Sequence, residues 1–167
     1  MFSANGVFSK DELDNASKLL IECFEDVQGD ILDLGCGVGV VGISLLKNNP
    51  GLQVTFSDVN QRALKLTKKN LKYHDLKGDV RQSDAFAKIS GEFDFILTNP
   101  PMAAGRDKCY EIIEDSKKHL RSKGCLGLVA RHKKGGKMLK KKMREIFGNV
   151  EDVDKSGGFR VYKSVKE

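Results

Sequence analysis

The sequence of 167 residues is 40% hydrophobic and 31% charged, with a net charge of +6, which is chain enough for one sizeable core and too little for two. A single domain over 1–167 is expected, comprising an N-terminal segment and helix (1–28) and a core (29–167). No apolar run approaches the roughly 18 residues of a spanning helix, and Met1-Phe2-Ser3-Ala4-Asn5-Gly6 lacks the basic start and apolar core of a signal peptide, so a soluble, cytoplasmic protein is expected.

Ser9 followed by Glu12 has the spacing of a capping box, and Leu13, Ala16, Leu19, Leu20, Cys23, Phe24 and Val27 then recur with a helical period, predicting a helix over 10–27. Beyond Gly29, short strand-like runs alternate with helical ones. Strands are predicted over 30–34, 53–58, 79–83, 93–98 and 125–130, and helices over 39–48, 60–73, 106–121 and 136–147. That alternation implies an α/β fold of Rossmann-like form, a parallel sheet with helices on both faces. The end of the chain differs: 150–155 and 159–164 flank Ser156-Gly157-Gly158 with no room for a helix, which predicts an antiparallel hairpin and a total of seven strands.

Cys23, Cys36, Cys109 and Cys125 show neither CxxC pairing nor metal-ligand spacing, and His74, His119 and His132 are scattered, which favours free thiols over disulfides or a metal site. The charge is unevenly distributed. Residues 1–60 carry 3 Lys/Arg against 9 Asp/Glu, and residues 61–167 carry 26 against 14. A basic C-terminal part suggests a polyanionic partner.

The most informative junction is Thr98-Asn99-Pro100-Pro101-Met102, directly after the apolar run 93–97. Each proline fixes its own φ at about −65°, removes a backbone donor and keeps the preceding residue extended. Asn99 is thereby expected to project stiffly beyond the sheet edge, beside a carbonyl free to accept. Two oxygens so placed can grip the two hydrogens of a planar NH2 group, such as a nucleobase exocyclic amine or a glutamine amide.

Leu34-Gly35-Cys36-Gly37-Val38-Gly39-Val40-Val41-Gly42 joins the first strand to its helix. Gly37, Gly39 and Gly42 satisfy GxGxxG, which would suggest a dinucleotide. Asp33, two residues before Gly35, argues otherwise. Its carboxylate would repel a pyrophosphate and suits a cationic ligand, such as the ammonium and sulfonium of S-adenosylmethionine. Asp58, closing the second strand, can accept ribose hydroxyls of either cofactor, and Asp84 would reach an adenine amine. With Asp33 and Asn99 they fall at the carboxyl ends of four predicted strands, where open α/β sheets bind their ligands.

Asp33-Leu34-Gly35-Cys36-Gly37, Asp58, Asp84 and Asn99-Pro100-Pro101 together resemble the class I S-adenosylmethionine-dependent methyltransferases that modify amino nitrogens. Gly6-Val7-Phe8-Ser9-Lys10-Asp11 and Gly158-Phe159-Arg160-Val161-Tyr162-Lys163 are similar to the catalytic domain of the bacterial 16S rRNA guanine-N2 methyltransferases of the RsmC type and to their small single-domain archaeal relatives. The resemblance implies a class I methyltransferase domain in which Asp33, Gly35, Gly37 and Gly39 cradle the cofactor's methionine part. It also implies that Asp58 with Val59 holds the ribose, Asp84 with Ala85 binds the adenine, and Phe8 closes the pocket. Asn99, Pro100 and Pro101 would form the catalytic motif. Its fourth position, usually Phe or Tyr, is here Met102, a polarizable thioether that can still cover a ring.

The implied function is methylation of an exocyclic amine in RNA, guanine N2 of rRNA or tRNA, with S-adenosyl-L-methionine as cofactor. The same chemistry on adenine N6 or on protein glutamine N5 is the alternative. Hydrogen bonds from the amine to Asn99 and the Pro100 carbonyl would localise its lone pair, and no strong base is needed before transfer. Arg106 and Lys108 after Asn-Pro-Pro, and Arg131-His132-Lys133-Lys134 after the fifth strand, form two basic clusters on the same edge. Met102, Arg106 and Lys133 are the expected substrate contacts, with RNA as the partner of the rim.

Overall fold

The computed structural model describes residues 10–167, with side chains from residue 15 onward. Phe8, and the Ser9 of the capping box, lie outside the described residues. The chain forms α1 (Lys10–Cys23), β1 (Asp30–Leu34), α2 (Val40–Asn48), β2 (Gln53–Asp58), α3 (Gln61–Tyr73), β3 (Asp79–Gln82), β4 (Phe93–Thr98), α4 (Arg106–Lys118), β5 (Leu120–Arg131), α5 (Lys137–Phe147), β6 (Glu151–Ser156) and β7 (Phe159–Val165). They build a seven-stranded sheet in the order β3-β2-β1-β4-β5-β7-β6. The first five are parallel, whereas β7 runs antiparallel to both β5 and β6.

Alternation along the strands sends successive side chains to two separate cores. Ile31, Leu97, Val129 and Val161 pack with Leu19, Leu20, Ile43, Leu45 and Leu64 under α1, α2 and α3. Leu32, Ile96, Leu126, Leu128 and Tyr162 pack with Ile112, Ile113, Leu139 and Met143 under α4 and α5. The chain leaves β1 toward β2 on one side and reaches β4 on the other, so the order reverses between β1 and β4. Beyond the carboxyl ends of those two strands a crevice opens, because their connections depart to opposite faces.

Two predicted boundaries are corrected. The helix expected over 10–27 stops at Cys23, although Phe24 and Val27 remain buried in the turn that follows. The helix expected to reach 121 stops at Lys118, and β5 begins at Leu120 instead of 125. Leu120 pairs with Phe93, and the ladder then slips before Phe95 meets Cys125. Lys123, a non-glycine residue at φ 68°, accommodates that irregularity. The added strand segment carries Arg121, whose guanidinium bridges Asp30 at 2.7 Å and Asp94 at 2.8 Å across the amino ends of β1 and β4.

Candidate active site

The glycine loop is shaped by backbone conformations that only glycine adopts cheaply. Gly35, Gly37 and Gly39 have φ of 70°, 57° and 90°. A Cβ on Gly35 would enter open space, so its backbone is bare toward the crevice, whereas one on Gly39 would lie 3.0 Å from Ile43 and Thr67 side-chain carbons. Gly39 therefore serves packing beneath the loop as well as its turn.

Four side chains fasten this loop from below and behind. Asp58 Oδ2 accepts from the Gly37 N–H at 2.9 Å and its Oδ1 from the Asn60 N–H at 2.9 Å. Thr67 Oγ1 donates to the Gly37 carbonyl at 2.8 Å, and Asn70 Nδ2 to the Val38 carbonyl at 2.9 Å. Asp33 is 4% exposed and accepts from the Gly42 N–H at 3.0 Å. Burial pushes its carboxyl up to about 7, with Gly42 opposing that shift and the Asp58 charge adding to it. Asp33 thus stands under the loop on the α2 side, held to the helix start.

A cleft of about 170 Å³ lies at the switch point, lined by Gly35, Asp58, Val59, Asp84, Ala85 and Asn99 among others. Asp58 and Val59, Asp84 and Ala85, and Asn99, expected to hold ribose, adenine and amine, thus meet in one crevice although they come from the ends of β2, β3 and β4. Ala85 holds φ 49°, an uncommon value for a residue with a Cβ, which turns the chain around the crevice floor. Ser57, also in the lining, carries a buried hydroxyl with no hydrogen-bond partner among the described residues. An orphaned hydroxyl, bare glycine backbone and the spare lone pairs of Asp58 fit a polyhydroxylated, nitrogen-rich ligand such as adenosine.

Asn99 is exposed at the end of β4, and its amide makes no hydrogen bond to another described residue. Thr98 Oγ1 donates to the Leu34 carbonyl at 2.9 Å, binding the end of β4 to the end of β1. The Pro100 carbonyl accepts from the Met102 N–H at 2.9 Å, which leaves it one lone pair for another donor. Met102 is 38% exposed and its methyl sits against Gly135 of the turn His132–Gly136.

Lys108 is placed differently from the expectation that it stands on the rim. Its position in α4 turns it inward, where it lines the cleft and its Nζ lies 2.8 Å from Asp84 Oδ1. Asp84 raises the Lys108 pKa through that contact. Arg106, at the start of the same helix, is exposed, with Asp107 at 3.8 Å and its guanidinium 5.9 Å from the centre of the Tyr110 ring, and Lys133 is exposed on the turn after β5.

Sequence reasoning missed Ser57, Thr67 and Asn70. Thr67 and Asn70 are fully buried although they share the face of α3 that carries Ala63, Leu64 and Leu71. Two polar residues three apart on an apolar stripe are the signal that could have marked them, since buried polar groups need partners.

The parallel sheet, the switch-point crevice and the glycine loop define a class I S-adenosylmethionine-dependent methyltransferase. The chain belongs to the methyltransferase small domain family, whose model matches residues 1–163. Among curated relatives, it is 38% identical to the uncharacterized protein YbxB of Bacillus subtilis, over 98% of this chain and 84% of that one. It is 38% identical to ribosomal RNA small subunit methyltransferase C of Haemophilus influenzae, over 99% of this chain and 51% of that one. The chain thus spans about half the length of that relative. Among solved structures it is similar to the 16S rRNA N2 methyltransferase RsmC of T. thermophilus in complex with AdoMet and guanosine. That likeness has a TM-score of 0.82 and 26% identity, over 97% of this chain and 46% of that one.

Proposed function

We propose that this protein transfers a methyl group to an exocyclic amine in RNA, guanine N2 being the favoured position. The observation that carries the reading is Asn99, whose amide has no hydrogen-bond partner among the described residues and which, on a stiff Asn-Pro-Pro segment, lines the same crevice as Gly35, Asp58 and Asp84. Its Oδ1 and the remaining lone pair of the Pro100 carbonyl are the acceptors for the two amine hydrogens. Gripping both hydrogens localises a nitrogen lone pair otherwise delocalised into the base and aims it into the crevice. S-adenosylmethionine, when bound, supplies an electrophilic methyl group.

In this reading, Gly35 and Gly37 hold the cofactor's amino-acid end while Asp33 supports their loop from beneath through the Gly42 N–H, Asp58 and Val59 hold its ribose, and Asp84 and Ala85 its adenine. Lys108 fixes the Asp84 carboxylate through Oδ1 and leaves Oδ2 to accept an adenine amine. The methylated nitrogen sheds its proton after transfer, so the chain needs no dedicated base. Met102 covers one face of the target base, and Arg106, Arg131 and Lys133 meet phosphates around it. The names of the relatives, two of which act on 16S or small-subunit rRNA, support RNA as the acceptor.

The test is to incubate the protein with methyl-labelled S-adenosylmethionine and total RNA from cells lacking it, then identify the labelled nucleoside. N2-methylguanosine is the expected product. Label confined to protein glutamine, with none in any nucleoside, would overturn the reading.

A further inference from the structure

A second cleft, of about 570 Å³, opens between the turn His132–Gly136 and the tip of the β6–β7 hairpin. Lys133 and Lys134 stand on one wall, Lys155 and Arg160 on the other, and among the described residues no carboxylate lines it. Lys133, Lys134 and Lys155 are exposed and have no acidic partner among the described residues, whereas Arg160 shares Asp152 with Lys140. The floor is bare backbone, because Gly157 and Gly158 make the hairpin turn with φ of 56° and 85° and carry no side chain into the opening.

Two features indicate that this charge is not surface decoration. Lys155 lies directly opposite Arg160 in the hairpin register, and like charges opposed across two strands weaken a hairpin. A pairing that costs stability is relieved when an anion lies over it. The cleft is also joined to the amine-binding motif. A Cβ on Gly135 would collide with the Met102 methyl, so the wall bearing Lys133 and Lys134 rests on the residue that follows Asn99-Pro100-Pro101.

We infer that this cleft seats the sugar-phosphate strand next to the target nucleotide, the β6–β7 hairpin tip serving as an RNA-binding element; the inference rests on the RNA reading above. A base whose amine must reach Asn99 has to leave its stack, so the strand entering the cleft is single. The phosphates run between Lys134 and Lys155 while the base turns over Met102 into the crevice. Arg160 keeps Asp152 and completes the positive wall.

The test measures binding of a labelled single-stranded oligoribonucleotide of mixed sequence across a salt series, for the wild type, Lys155→Glu and Lys134→Glu, with Lys65→Glu on α3 as the control. Each cleft variant is expected to bind about tenfold more weakly at low salt, with the log-log salt slope reduced by about 0.7, while Lys65→Glu keeps the wild-type slope. S-adenosylhomocysteine affinity, measured in parallel, reports that each variant is folded. Cleft variants that bind S-adenosylhomocysteine and RNA as the wild type does, slope included, would refute the cleft and leave the RNA reading standing. A wild-type protein that binds S-adenosylhomocysteine and ignores RNA at every salt concentration would refute that reading, and the cleft with it.

Discussion

Replacing Asp33 by asparagine should make the protein's stability less sensitive to pH. Asp33 is buried and its folded-state carboxyl is raised from 3.8 to about 7, chiefly by desolvation. Below pH 3.8 both folded and unfolded chains hold the proton and the group contributes nothing. Between 3.8 and about 7 the unfolded chain has lost a proton that the folded chain keeps, so stability falls as pH rises. At about 1.4 kcal/mol per pH unit, the whole penalty is about 4 kcal/mol, of which about 3 kcal/mol accrues between about pH 5 and pH 8. The substituted asparagine would keep an oxygen for the Gly42 N–H while carrying no charge at any pH. Its NH2 group adds a constant cost of about 1–3 kcal/mol if left unpaired. The difference in unfolding free energy between Asp33→Asn and wild type should therefore rise by about 3 kcal/mol from about pH 5 to pH 8, whatever its offset. Urea denaturation at the two pH values measures it, and all other titrations cancel in the difference. A pH-independent difference would refute the raised carboxyl.

Asp58→Ala removes the acceptor for Gly37 and Asn60 N–H groups as well as the proposed ribose contact. Calorimetry should show S-adenosylhomocysteine affinity reduced at least tenfold, on the basis of about 1.5–3 kcal/mol for a hydrogen bond to a charged group. Asn99→Ala should leave that affinity within about twofold and slow methyl transfer about 100-fold under single-turnover conditions; near wild-type turnover would remove Asn99 from the chemistry. Gly127→Ala should destabilise the protein by about 1–3 kcal/mol in urea, because its Cβ would collide with the Phe24 ring and lie 2.8 Å from Leu97 Cδ2. A cost below about 0.5 kcal/mol would mean that the turn after α1 yields without strain.

Strands β1, β2 and β4 could be read to the residue because each is a short apolar or alternating run closed by a glycine loop, an aspartate or a proline. The start of β5 could not. Leu120-Arg121-Ser122-Lys123 has no alternation, and its extension depends on pairing with Phe93 and on the unusual backbone of Lys123. The site divides in the same way. Asp58, Asp84 and Asn99 stand at or just beyond strand ends, so their place in the crevice lining follows from position alone. Lys108 is one of several lysines on a helix, and only the packing of α4 against the crevice decides that it faces Asp84 and not solvent. Thr67 and Asn70 show locally only that two polar groups lie on an apolar stripe; which carbonyls they bind is not local, since those lie about thirty residues earlier.

The placement of β7 between β5 and β6 affects how the molecule assembles. Until Phe159–Val165 is laid in, β5 offers an unpaired row of amides and carbonyls from Cys125 to Arg131, and β6 has no neighbour at all. The seam is closed by contacts distant in sequence for β5, a slow kind of event compared with zipping a local turn, and Tyr162 enters the second core only then. A stop codon at Phe159 would therefore remove an interior strand instead of trimming an edge. What is left would be a five-stranded sheet with an exposed, strongly apolar margin, prone to pair with another copy of itself.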